Sequence, residues 1–205
     1  MKNLISKIKK LAMTPVEYPS GIVTLTIFCV CLVSYLTMST RFGQIRYPEN
    51  FQFYNCRDYW DLIVNFWTAG FYHANLSHIM TNMAVTLPCM LMIEKKAGPF
   101  HLIILYSLCS IVGGLFQFHM LGIGGIGSSS ATFGLIFPAL VLFTGNNWSR
   151  FIVLAVLIVA ALEAARWILP DGTGHLAHLG GIVIGIIYTL SVFVEVKPKF
   201  TESDY

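Results

Sequence analysis

The sequence predicts an all-α membrane protein that folds as one bundle of six transmembrane helices. Of its 205 residues, 56% are hydrophobic and only 11% are charged, less than half the charged share of an ordinary soluble domain. A helix needs about 20 apolar residues to cross a bilayer, and runs near that length occur at residues 22–40, 76–93, 101–121, 129–143, 151–168 and 176–194. Because these runs are continuous, they favour helices over the alternating strands of a membrane barrel.

The positions of the lysines predict how the bundle lies in the membrane. Short cytoplasmic loops accumulate basic residues, and all lysines fall on one side of the predicted spans, at Lys2, Lys7, Lys9, Lys10, Lys95, Lys96, Lys197 and Lys199. Both termini are therefore expected in the cytoplasm, with residues 1–20 as an N-terminal segment, 21–196 as the membrane domain and 197–205 as a tail. The net charge of +3 follows from this topology, so no nucleic-acid partner is expected.

Three consecutive serines open the fourth span, within the segment GSSSATFG at residues 127–134. This span is short, so its helix is expected to begin below the membrane surface, in a recess on the outer side. The backbone amides and positive dipole end of the helix would point into that recess. A serine there exposes its hydroxyl beside amides that can stabilise an oxyanion. The alternative is that the serines act only as helix caps and small packing residues.

The sixth span supplies a base for such a hydroxyl. Its start, GHLAHLGG at residues 174–181, places His178 shortly before Gly181, and Gly181 with Gly185 forms a face of small residues. Ser130 and Gly134 form a similar face on the fourth span, and such faces let two membrane helices approach closely. If they meet, His178 can act as general base on a serine. Alternatively, His178 only makes a hydrogen bond to a neighbouring helix.

The second span begins on the same side of the membrane as the fourth and sixth. His78 and Asn82 are four residues apart and therefore share a helical face. Their side chains can donate hydrogen bonds to a developing oxyanion, beside the backbone amide of Ser129. The alternative is that they tie the second span to a neighbouring helix.

Four segments together resemble the rhomboid intramembrane serine proteases. GSSSATFG resembles the family's G-x-S-G-x-x-x-G, AHLGG is similar to the segment with its catalytic histidine, and HANLSHIMTNM (73–83) resembles H-x-x-x-x-H-x-x-x-N. Residues 93–115 resemble the family's first cytoplasmic turn and third span. The segments occur in the family's order, cover spans 2 to 6 and match its minimal six-helix form.

The resemblance implies a function and a site. Ser129 is expected to be the nucleophile and His178 its base, without a carboxylate and without a cofactor. His78, Asn82 and the amide of Ser129 are expected to stabilise the oxyanion. The expected substrates are single-pass transmembrane proteins, cleaved within the lipid bilayer. The compact six-span form indicates a multi-pass protein of a prokaryotic inner (plasma) membrane.

Three positions depart from the family's pattern. Ser130 stands where the family usually has glycine, and Val64-Asn65 replaces the Trp-Arg pair of the first loop. For the aromatic ring that often stacks on the catalytic histidine from the fifth span, this span offers only Phe151 and Trp167. Ser130 supports the alternative of an inactive rhomboid-like protein that binds transmembrane helices without cutting them.

A third interpretation treats the histidines as a metal site in a transporter, since histidine is a common zinc ligand. The residues concerned are His73, His78, His175 and His178. Because the spans carry no acidic residue near their middle and the chain has no HExxH motif, the sequence favours the protease, and no metal is expected.

Overall fold

A computed structural model describes five stretches of the chain, residues 21–42, 58–122, 124–145, 147–168 and 174–193. The expected N-terminal segment at 1–20 and the expected tail at 197–205 lie outside the described residues.

All regular structure in the described residues is helical. The helices are α1 (Ile22–Phe42), α2 (Tyr59–Ala69), α3 (Leu76–Ala97), α4 (Pro99–Leu121), α5 (Ser129–Thr144), α6 (Trp148–Ile168) and α7 (His175–Tyr188), and α7 continues into a π-helical turn, Thr189–Phe193. As far as the described residues extend, each of the six apolar runs falls on a helix, which confirms the predicted all-α membrane fold.

Three of the described helices are long and apolar enough to cross a bilayer, namely α3, α4 and α7 extended to Val192. Shorter apolar helices lie at Ile22–Thr37, Ser129–Thr144 and Trp148–Leu162. The additional helix α2 belongs to the loop between the first two spans, and its surface exposes Tyr59, Trp60 and Trp67. Such aromatic side chains are typical of a segment at the membrane interface.

The short helix α5 forms the centre of the bundle. It packs against α3, α4, α6 and α7, and every residue from 128 to 136 is buried. A helix that is apolar and buried on all sides belongs in the core. The serines at the start of α5 are therefore enclosed by the neighbouring helices at the end of the bundle where α3, α5 and α7 begin.

Helices α5 and α7 touch along the two faces of small residues predicted from the sequence. A Cβ atom on Gly181 would overlap the carbonyl oxygen of Ser130, and one on Gly185 would overlap that of Gly134. The two backbones are in direct contact, which is the packing that small residues permit in membranes. This contact sets the position of His178 relative to the serines.

Gly181→Ala is expected to lower the free energy of unfolding by about 2 kcal/mol, because the added methyl group has backbone in its way and overpacking of this kind costs about 1–3 kcal/mol. Thermal unfolding in detergent measures the change. Leu179→Ala is the control, since Leu179 lies on the same helix with 45% of its surface exposed. Equal unfolding temperatures for Gly181→Ala and the parent would contradict this packing.

Glu94, near the end of α3, caps the start of α1. Its carboxylate accepts hydrogen bonds from the backbone amides of Val23 (3.0 Å) and Thr24 (2.8 Å) and from the Thr24 hydroxyl (2.6 Å). The first amides of a helix lack partners within the helix, and a negative charge is favourable there. One buried side chain thus fixes the first helix to the third.

Glu94→Ala is expected to destabilise the bundle by roughly 3 kcal/mol or more, because it leaves three donors without an acceptor and a single bond to a charged group contributes about 1.5–3 kcal/mol. The measurement is again thermal unfolding, with exposed Lys95→Ala as the neighbouring control. A loss no greater than that of Lys95→Ala would show that water replaces the carboxylate without cost.

Candidate active site

Ser129 and His178 lie within hydrogen-bond reach. Ser129 is the first residue of α5, and His178 lies in the first turn of α7. The Ser129 Oγ is 3.1 Å from the His178 Nε2, the distance required of a base that removes a proton from a hydroxyl. The meeting of the small-residue faces therefore places the two side chains as the sequence predicts.

Phe133 stacks on the His178 ring. The ring centroids are 4.4 Å apart and the planes are inclined by 19°, and Phe133 is fully buried. Phe133 lies one turn after Ser129, so the same face of α5 carries the hydroxyl and the ring that fixes the imidazole plane. Of the two aromatic residues in the fifth span, Phe151 packs against Phe137 and Trp148, while the side chain of Trp167 lies outside the described residues.

His78 and Asn82 lie beside the loop that precedes Ser129. A Cβ atom on Gly127 would come within 2.7 Å of the His78 Nε2 and 3.5 Å of the Asn82 Nδ2. Gly127 also has φ +121°, a conformation that L side chains rarely adopt. Both the close contact with His78 and the positive φ therefore require glycine at position 127. Because α5 begins at Ser129, the amides of its first turn have no partner within the helix, and they follow closely after the glycine that lies beside both side chains.

A second Ser–His pair lies next to the first. The Ser128 Oγ is 3.2 Å from the His73 Nε2, and the Gly127 amide donates to the Ala69 carbonyl (2.9 Å). His73 lies in the loop between α2 and α3, where burial, aided by repulsion from His78, lowers its pKa to about 3. His73 therefore stays neutral at physiological pH and holds the loop before Ser129 in place.

A small cavity lined in part by polar side chains distinguishes the two pairs. It has a volume of about 40 Å³, enough for water, and its lining includes Ser110, Gln117, Ser129 and Ser130 but neither Ser128 nor His73. Ser128 and His73 are completely buried. Of the two pairs, only the one that contains Ser129 borders this space for water, and it does so through the serine.

Gln117, near the C-terminal end of α4, lines the cavity and also binds the backbone of α7. Its Oε1 accepts a hydrogen bond from the backbone amide of Ala177 (3.3 Å), and its side chain is almost fully buried. The residue before His178 is therefore held by α4, while Gly181 is held by α5. Nothing in the local sequence pattern around Gln117 indicates this partner.

Aromatic residues hold α2 on α4 without the family's usual Trp-Arg pair. Phe66 fills the space left by Gly114 and packs against Phe118 with ring centroids 5.9 Å apart. The Trp67 Nε1 donates to the Ser107 Oγ (3.0 Å). The Tyr106 hydroxyl donates to the carbonyl of Gly70 (2.9 Å), just after α2. These contacts thus anchor α2 to α4.

The four histidines considered as a metal site do not converge. His73 and His78 have ring centroids 5.1 Å apart, but His175 is exposed and its ring centroid is 6.1 Å from that of His178. Within the part of the chain that the structure describes, no three His, Cys, Asp or Glu side chains form a group able to hold a metal ion.

Comparison with known proteins agrees with this architecture. Residues 57–195 match the family model described as the Rhomboid domain. RHOMBOID-like protein 1 of Arabidopsis thaliana is 29% identical over 148 residues, which cover 69% of this chain and 36% of that protein. Rhomboid-like protein 11, chloroplastic, of the same plant is 25% identical over 179 residues, covering 78% and 63%. The chain thus spans less than two thirds of either relative's length. The match to the family model covers more than half of the chain and includes α2 to α7, so this protein belongs to the rhomboid family.

Proposed function

We propose that the chain is an intramembrane serine endopeptidase that cleaves transmembrane-helix substrates with a Ser129–His178 dyad. The observation that carries the proposal is the 3.1 Å separation of the Ser129 Oγ and the His178 Nε2 at the edge of a cavity that can hold water. A nucleophile paired with a base in this way is the minimal arrangement for covalent catalysis.

The first half of the reaction forms an acyl-enzyme. His178 takes the proton of the Ser129 hydroxyl while the Ser129 Oγ attacks the carbonyl carbon of the scissile peptide bond. His78, Asn82 and the amide of Ser129 donate hydrogen bonds to the oxyanion, which such donors stabilise strongly in a site with little water. The proton on His178 then passes to the leaving amine, and the C–N bond breaks.

The substrate class follows from the position of the site. Ser129 lies at the start of a short apolar helix in the middle of a membrane bundle, so the peptide bond must come from a segment that is itself in the lipid bilayer. A helix in lipid has all its backbone hydrogen bonds satisfied internally. It must therefore unwind locally before Ser129 can reach a carbonyl carbon, which favours a single-pass helix cut near its end.

The orientation in the membrane is part of the proposal. Lys95 and Lys96 lie at the end of α3 and Arg150 at the start of α6, away from the end of the bundle that holds the site. Basic residues favour the cytoplasm, so both termini would be cytoplasmic and the site would open to the outer side. The prokaryotic plasma membrane stays a prediction, since the relatives compared are plant proteins.

The inactive rhomboid-like protein is the second candidate, and Ser130 is the observation that favours it. A side chain after the nucleophile can disturb an oxyanion site. In this structure Ser130 packs at Gly113 of α4, whereas His78 and Asn82 come from α3. The added side chain is therefore accommodated by a different helix from the one that carries the oxyanion donors, which supports the active enzyme.

Co-expression with several single-pass membrane proteins tests the proposal. We expect a cleaved fragment with the parent chain and none with Ser129→Ala at equal expression. If the parent cuts none of the substrates but captures them on pull-down, the protein binds transmembrane helices without cleaving them and the proposal is wrong.

A further inference from the structure

The side chain of Ser130 packs against α4 at Gly113, which has no side chain of its own. A Cβ atom on Gly113 would lie 2.6 Å from the Ser130 Cβ and 3.2 Å from its Oγ, closer than real side chains pack. The hydroxymethyl group of Ser130 therefore fills the position of the side chain that Gly113 lacks. Residue 130 can be larger than glycine here only because residue 113 is glycine.

The Ser130 side chain also lines the cavity beside Ser129. Two further polar side chains, Ser110 and Gln117, line the same cavity, and the Ser110 Oγ is buried without a hydrogen-bond partner among the described residues. A buried polar atom of this kind, next to a space of about 40 Å³ that other polar side chains also line, indicates ordered water. Ser130 thus lines, together with the nucleophile, a space that can hold water.

We propose that Ser130 positions the water that hydrolyses the acyl-enzyme, an inference that rests on the proposed function. In that step the water oxygen bonds to the acyl carbon while one water proton passes to the His178 Nε2. The bond from the acyl carbon to the Ser129 Oγ then breaks, and His178 returns the proton to that oxygen. The Ser130 hydroxyl accepts the second water O–H and so fixes the direction of attack.

This role separates the two halves of the reaction. Formation of the acyl-enzyme needs no water, so it depends on Ser129, His178 and the oxyanion donors alone. Hydrolysis of the acyl-enzyme needs an oriented water as well. Loss of the Ser130 hydroxyl should therefore slow the second half and leave the first half unchanged, a pattern that a purely structural role of Ser130 would not produce.

The test uses the purified full chain in detergent and an activated nitrophenyl ester with a short apolar acyl group. An initial burst of nitrophenol reports acylation and counts the active sites, and the following steady rate reports deacylation. The parent is compared with Ser130→Ala and Ser130→Gly, and Ser129→Ala gives the background. Because rates are calculated per active site, partial misfolding of a variant does not affect them.

For both Ser130 variants we expect a burst rate within about twofold of the parent and a steady rate roughly tenfold lower, the effect of one lost hydrogen bond in the transition state. The acyl-enzyme should also accumulate in mass spectra of the intact variants. An unchanged steady rate per site, or equal slowing of burst and steady rate, overturns the inference while the protease stands. A parent that neither turns over the ester faster than Ser129→Ala nor forms an acyl-enzyme overturns the proposed function and this inference with it.

Discussion

Ser129→Ala is expected to reduce the rate of substrate cleavage by about 10⁴-fold or more, because only substrate binding and oxyanion stabilisation remain when a serine protease loses its nucleophile. The rate is measured on purified protein in lipid vesicles that contain a single-pass substrate. The fold should be unaffected, since the change removes one hydroxyl that contacts His178 and a small cavity.

The neighbouring serines are matched controls for this substitution. Ser128→Ala removes a hydroxyl that contacts the neutral His73, and we expect a loss well below a hundredfold, through a less rigid loop. Ser130→Ala should slow only the hydrolysis of the acyl-enzyme. If Ser128→Ala rather than Ser129→Ala abolishes cleavage, the completely buried pair is the catalytic one and the assignment by cavity access is wrong.

His78→Ala and Asn82→Ala are each expected to lower kcat by about 10²–10³-fold, the usual effect of removing one oxyanion donor. KM should change little, because the oxyanion exists only after Oγ has attacked the carbonyl carbon. The double variant should lose less than the product of the two single losses, since both side chains would bind the same oxygen.

The same variants test the structural alternative for α3. Both side chains are buried, so the unfolding temperature of each variant is measured beside its activity. The control is Met80→Ala, on the same helix with 63% of Met80 exposed. A fall in stability that accounts for the whole loss of activity, or a change confined to KM, would mean that His78 and Asn82 only tie α3 to the rest of the bundle.

The helical fold and the meeting of the site residues were predictable because both follow from local patterns. Continuous apolar runs determine where membrane helices lie, and the spacing of Gly181 and Gly185 determines which face of α7 approaches α5. Once the starts of α3, α5 and α7 lie at one end of the bundle, few polar residues are available to meet there.

The parts that were not predictable depend on contacts between distant segments. Phe133 follows Ser129 by one turn, but apolar neighbours in α5 look the same in the sequence, and only the structure shows which ring faces His178. The Glu94 cap joins residues about 70 positions apart. Likewise, no repeating sequence pattern connects Trp67 with Ser107, although the two side chains form a hydrogen bond. The sequence shows that the Trp-Arg pair is missing, but it does not show which contacts anchor α2 instead.

The central claim is that Ser129, activated by His178, is the nucleophile, and reaction with a fluorophosphonate followed by peptide mass spectrometry tests it most directly. Such a reagent bonds to a serine only when a base activates the hydroxyl. We predict one phosphonate per chain on Ser129, and none on that residue in His178→Ala. A label on Ser128 or Ser130, or a folded protein that reacts at no serine, would contradict the account.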